Sequence, residues 1–192
     1  SPPELPDSLG RQSSVSEDAF PKMGHYLSDV LSGFFKGYSG AGRPVEFFDS
    51  AWENKARYGN AAVSFLFNQL KVVPTLILES SVEDDLFYFR FGYWGLNQES
   101  PVYEPFISRM SWPEALAESG REGLRQFISV CHCLVGGMLT DGYFLTDFPP
   151  DTRSHPLLPG LLPELLKDLP GEKIRELTGP VVSFYRKLYE SL

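Results

Sequence analysis

From Glu17 to Lys36 the apolar residues Phe20, Met23, Leu27, Val30, Leu31 and Phe34 recur at three- and four-residue steps, the period of an amphipathic helix. Pro21 is tolerated only in the first turn, so the pattern predicts a first helix that stops at Gly37. Gly37-Tyr38-Ser39-Gly40-Ala41-Gly42 then reads as a flexible connection. A phosphate-binding loop would follow a strand and open a helix with Lys and Ser or Thr at its end. Here a helix precedes the glycines and Arg43-Pro44 follows them.

Ser50-Ala51-Trp52-Glu53 has the form of a capping box, in which the serine hydroxyl accepts from the backbone N–H three residues on and the glutamate reaches back. A second helix is predicted from there to about Lys71. Trp52, Ala56, Gly59, Val63, Leu66 and Leu70 make its buried stripe, widened by Tyr58, Ala62 and Phe65. Pro74 ends it. Thr75 to Glu79 reads as a short strand, Ser80 to Asp85 as a polar turn and Leu86 to Trp94 as a second strand. In that second strand Phe87, Phe89, Phe91 and Tyr93 alternate onto one face, and Tyr88, Arg90, Gly92 and Trp94 onto the other. The two strands pair as an antiparallel hairpin. Val102 to Ile107 adds extended chain that Pro101 and Pro105 confine to an edge strand or to coil.

Ser111-Trp112-Pro113-Glu114 and Ser119-Gly120-Arg121-Glu122 repeat the capping-box form. They predict a short helix through Glu118 and a separate central helix from about Arg121 to Tyr143. On the latter, Leu124, Ile128, Cys131, Val135 and Met138 make one stripe, flanked by Phe127, Leu134 and Leu139. Gly136-Gly137 weakens this helix and implies close approach of another helix or a ligand. Residues 149–170 set six prolines among Leu157-Leu158, Leu161-Leu162 and Leu165-Leu166, a pattern of short helical turns packed over a surface. Thr178-Gly179-Pro180 caps a last helix whose buried face is Val181, Val182, Phe184, Tyr185 and Leu188. The sum is an α+β fold, mostly helical, with five or six helices around a central β-hairpin or small antiparallel sheet.

Composition narrows this picture. At 192 residues, 42% hydrophobic and 14% aromatic, the chain can bury a core of its own. Residues 1–17 hold three prolines and five serines with almost no apolar side chains, so they read as a flexible tail outside one globular domain over 18–192. Arg11-Gln12-Ser13-Ser14 gives that tail a weak kinase-like context. The chain opens Ser1-Pro2-Pro3 without Met or an apolar leader, and the expectation is a module of a longer protein. With 17 Lys and Arg against 25 Asp and Glu, a net charge of -8 repels phosphate backbones and anionic lipid, so neither nucleic acid binding nor membrane insertion is expected. Phe127 to Leu139, the longest nearly apolar run, is short for a membrane span. The two cysteines lie two positions apart and allow no disulfide framework, which suits a reducing, cytoplasmic setting.

Candidate chemistry is sparse. Cys131-His132-Cys133 offers zinc-type ligands, but two residues on a helix turn through about 200°, so the thiols face opposite ways and no metal is expected. A hydrolase built from Cys131 or Cys133, His25 or His155, and Asp141 or Asp147 ranks lowest, because no nucleophile elbow, metalloprotease helix or lysine-bearing phosphate loop accompanies them. The acidic run Glu79, Glu83, Asp84 and Asp85 lacks the alternation and glycine of a calcium loop. Asp141, Asp147 and Asp151 are placed to cap turns, and Gly142 to end the central helix. No catalytic residue, metal or cofactor is assigned.

Aromatics are the distinctive feature. Tyr88, Arg90 and Trp94 share one strand face and combine large area with a polar handle, the composition of a binding hot spot. The leading expectation is therefore a non-catalytic protein-interaction or regulatory domain whose partner is another protein, met through Tyr88, Arg90 and Trp94. The runner-up is a small-molecule pocket with aromatic walls and polar groups from Asn54, Arg90 or His132. Deleting residues 1–17 should move the melting temperature by less than about 4 °C in a thermal scan; a larger fall would place the tail in the folded core.

Overall fold

The computed structural model describes residues 21–43, 45, 60–70, 72–83, 86–95, 99–146 and 155–191. The tail, the capping box Ser50 to Glu53 with Asn54, Lys55, Arg57 and the helix start it predicts, the carboxylates Asp84 and Asp85, and Asp147 and Asp151 lie outside the described residues. The elements run α1 (Pro21–Gly40), α2 (Asn60–Leu70), β1 (Thr75–Glu83), β2 (Leu86–Trp94), β3 (Val102–Ser111), α3 (Trp112–Thr146), α4 (Leu158–Leu166) and α5 (Gly171–Ser191). Among the described residues, five helices and one three-stranded antiparallel sheet make the fold α+β and mostly helical. The chain divides into two compact units between Arg125 and Gln126.

In the first unit α1 buries Leu27, Leu31, Phe35 and Tyr38, one helical face stepped by four, four and three residues. The helix runs three residues past its expected end at Gly37, because Tyr38 occupies the next buried place on that stripe and its burial outweighs the poor helix propensity of glycine. It then stops in a Schellman motif. Arg43 N–H donates to the Tyr38 carbonyl at 3.0 Å and Gly42 N–H to that of Ser39 at 3.1 Å. This closure requires a left-handed residue, supplied by Gly42 at φ 79°.

The sheet has the order β1-β2-β3. Pairing from Thr75↔Trp94 to Glu83↔Leu86 carries β1 through Ser80 to Glu83, where the sequence suggested a turn. Ladder hydrogen bonds are made by the backbone, so serines pair on an edge strand as readily as apolar residues. Strand β3 lies at the other edge, as its prolines demand, and Pro105 stands opposite Arg90 where the register with β2 shifts around Phe89. Phe89 is buried, its ring edge-on to Phe106 at 6.1 Å.

Helix α2 covers the other face. Val63 and Phe67 are buried with Trp94, flanked by Leu66, Ile77 and Tyr103, and the Phe67 and Trp94 rings meet edge to face at 5.6 Å. This corrects the expected stripe: Phe67 goes inward, while Phe65 and Leu70 are exposed. The close approach depends on Gly92, where an added Cβ would stand 3.0 Å from both Val63 methyl carbons.

Helix α3 runs from the first unit into the second and is broken in the first at Gly120, whose φ of 65° and ψ of -178° interrupt it between the two segments the capping boxes predict. Every residue from Phe127 to Met138 is buried, Gly136 and Gly137 included, as expected of a central helix. Gly142 does not end the helix, which continues to Thr146; a Cβ there would meet the Phe184 ring at 3.2 Å. Helix α5 begins at Gly171, ahead of the expected cap, and passes through Pro180. A proline inside a helix costs about 3 kcal/mol, offset here by an unbroken buried stripe of Leu177, Val181, Tyr185 and Leu188. Val182, expected inside, is exposed.

Gly92→Ala should destabilise the protein by about 1–3 kcal/mol through overpacking against Val63, measured by denaturant unfolding. Relief of glycine's unfolded-state entropy would favour the opposite sign, so a neutral or stabilising result would show that α2 can shift away from the sheet.

Candidate functional site

The three residues singled out on β2 do not form one surface. Tyr88 and Arg90 are half-buried neighbours on one face of the strand, with the Arg90 guanidinium carbon 4.7 Å from the Tyr88 ring centroid. Such a cation–π pair contributes about 0.5–1 kcal/mol at a partly exposed site. Trp94 is only 1% exposed, beneath α2. Its indole N–H donates to the Val73 carbonyl at 2.8 Å and is 3.3 Å from that of Leu70, tying the chain leaving α2 to the end of β2. The expectation of a solvated face is corrected at this position: four residues further along the strand than Arg90, the side chain lies under the helix.

The Cys131-His132-Cys133 stretch is buried. Desolvation pushes the Cys133 thiol up to about 12. Burial raises Cys131 as well, with Glu176 and Cys133 adding to the effect. Both thiols are therefore protonated near neutral pH and are poor nucleophiles. His132 is pushed down to about 3 by burial, against the opposing hydrogen bond to Ile128. Its Nδ1–H donates to the Ile128 carbonyl at 2.8 Å, which fixes the neutral tautomer. No group of three metal-ligating side chains occurs among the described residues.

Asp141 is fully buried and held by three hydrogen bonds. One carboxylate oxygen accepts from Leu157 N–H at 3.0 Å. The other accepts from Leu158 N–H at 3.0 Å and from the Tyr185 hydroxyl at 2.6 Å. Leu157 is the N-cap of α4 and brings no capping side chain of its own, so a carboxylate from α3 serves the orphan amides of another helix. The reading of Asp141 as a cap anticipates this role but not its partners. A sequence signal was available, since Leu134, Met138, Asp141 and Leu145 step by four, three and four. An acid on an apolar stripe needs buried donors. Asp141 thus holds α3, α4 and α5 together.

Among the described residues of the first unit, the exposed large apolar side chains are Phe65 at 44%, Leu70 at 39%, Val72 at 76% and Val73 at 51%. Between Asn60 and Leu78 the only charged residue is Lys71. One helix among the described residues, Gly120–Thr146, is long and apolar enough to cross a membrane by length and composition, although 83% of its apolar window is buried inside the protein, as in a core helix. Comparison with protein-family models, curated proteins and solved structures finds no match to this chain.

His132 makes stability depend on pH. Between its ordinary value near 6.5 and about 3, the unfolded chain takes up a proton that the buried imidazole refuses. Its contribution is therefore complete above that range and is lost as the pH falls, by about 2 kcal/mol at pH 5. Denaturant unfolding at pH 7 and pH 5 should show the native chain losing that much more stability than His132→Leu, the carboxylates being common to both. Equal losses would mean that the imidazole is solvated in the folded state.

Proposed function

We propose that this chain is a non-catalytic protein-interaction module, acting in a reducing, cytoplasmic setting, whose partner meets the charge-poor surface where α2 turns into β1. The observation that carries this reading is the exposure of Phe65, Val72 and Val73 in a stretch whose only charge is Lys71, on a chain of net charge -8. Depletion of charge around exposed apolar and aromatic side chains is the signature of the buried centre of an interface. Tyr88 and Arg90 belong to the same unit and add a planar, half-buried pair suited to a rim. Trp94 supports the surface from below by fixing the Val73 carbonyl.

Replacing Phe65 and Val72 together by Asp changes two exposed positions, so the melting temperature should stay within about 4 °C. Proteins that co-purify with the native chain and are identified by mass spectrometry should be lost from the variant. The same set retained by the variant would refute the surface; a collapse in melting temperature would show that these side chains are needed for folding.

A further inference from the structure

Residues 157–169 hold little of what a helix needs to stand alone. Helix α4 has nine residues, no side-chain cap at Leu157, no acid in its first turn and an internal Pro163. Pro159 and Pro163 have no N–H to give, and a helix of this length is marginal in water. Three leucines of the segment, Leu158, Leu166 and Leu169, are nevertheless buried. Holding them inside requires satisfied backbone at the start of the helix, and the Asp141 carboxylate, to which the Tyr185 hydroxyl donates, supplies the acceptor there. Pro156, Pro159, Pro163 and Pro170 restrict the backbone of the segment even when it is detached, which lowers the entropy cost of returning.

We propose that residues 157–169 form a strap that opens and closes as a unit within the second compact unit, with Asp141 and Tyr185 as its latch. Opening costs the two amide hydrogen bonds to the Asp141 carboxylate and the seating of three leucines, while α3 and α5 keep their own backbone ladders and the bond from Tyr185 to Asp141. The closed strap hides Leu158, Leu166 and Leu169; the open strap presents them. This device is independent of the surface at α2 and stands or falls separately.

Hydrogen exchange with mass-spectrometric readout on the full chain tests it. Asp141→Ala should speed exchange across residues 158–169 by at least tenfold while the amides of residues 127–138 keep their native protection. Tyr185→Phe, which preserves ring packing, should give a smaller acceleration confined to the same residues. Trypsin provides a second reading, because Lys167 is the only Lys or Arg between positions 154 and 172: cleavage after Lys167 should accelerate in the same order. Unchanged exchange over 158–169 in both variants would overturn the latch. Loss of protection over 127–138 in step with the strap, in Tyr185→Phe as in Asp141→Ala, would overturn the independence of the strap and make Asp141 an ordinary core anchor.

Discussion

A carboxylate with no access to water must be solvated by the protein, and the arrangement around Asp141 follows from that requirement. The group sits on a helix whose neighbouring turns from Phe127 to Met138 are buried, so its donors must come from other elements. Two are amides at the start of α4 and one is the hydroxyl of Tyr185 on α5. Hydrogen bonds to a charged acceptor are worth about 1.5–3 kcal/mol each, and an orphaned partner costs a comparable amount. The interaction therefore fixes where α4 begins and which residue of α5 faces α3. Gly142, next along the chain, leaves room for Phe184, the residue beside Tyr185, so the polar contact and the apolar one lock the same register.

In the first unit shape plays the part that hydrogen bonding plays in the second. Gly92 is the strand position where α2 lies closest, with the Val63 methyls against the bare backbone. That approach lets Phe67 reach Trp94, and the indole N–H in turn holds the Val73 carbonyl. Each step depends on the one before. A larger residue at position 92 would lift the helix and loosen the turn that displays Val72 and Val73, which couples packing inside the sheet to what the surface presents.

Much of the fold is legible in the sequence because local rules decide it. The 3.6-residue stripe locates α1 and the buried run of α3, the capping box at Ser119 locates the break at Gly120, and the prolines of β3 place it at an edge. Local rules fail where burial overrides them: α1 continues through Gly37 for the sake of Tyr38, and α5 continues through Pro180 for the sake of the stripe from Leu177 to Leu188. They also fail to choose among apolar residues on a helix that is apolar on several sides. In α2 Asn60, Ser64 and Asn68 mark a polar face, yet the sequence still offers Val63, Phe65, Leu66, Phe67 and Leu70, and the packing against Gly92 and Trp94 selects Val63 and Phe67. The candidate site suffers most from this, since alternation puts Tyr88, Arg90 and Trp94 on one face but cannot show that a helix covers the end of it.

The same override separates chemistry from structure among the titratable groups. Cys131, His132 and Cys133 draw attention in the sequence because they are reactive types in close succession, yet burial moves every one of them toward its neutral form. A neutral thiol behaves as a small apolar side chain, and the neutral imidazole donates its Nδ1–H to the carbonyl one turn back, within its own helix. Asp141, on the same helix, makes hydrogen bonds that reach beyond it to α4 and α5. Burial has sorted these residues: the thiols and the imidazole pack the interior, and the carboxyl group stands where its oxygens join three helices.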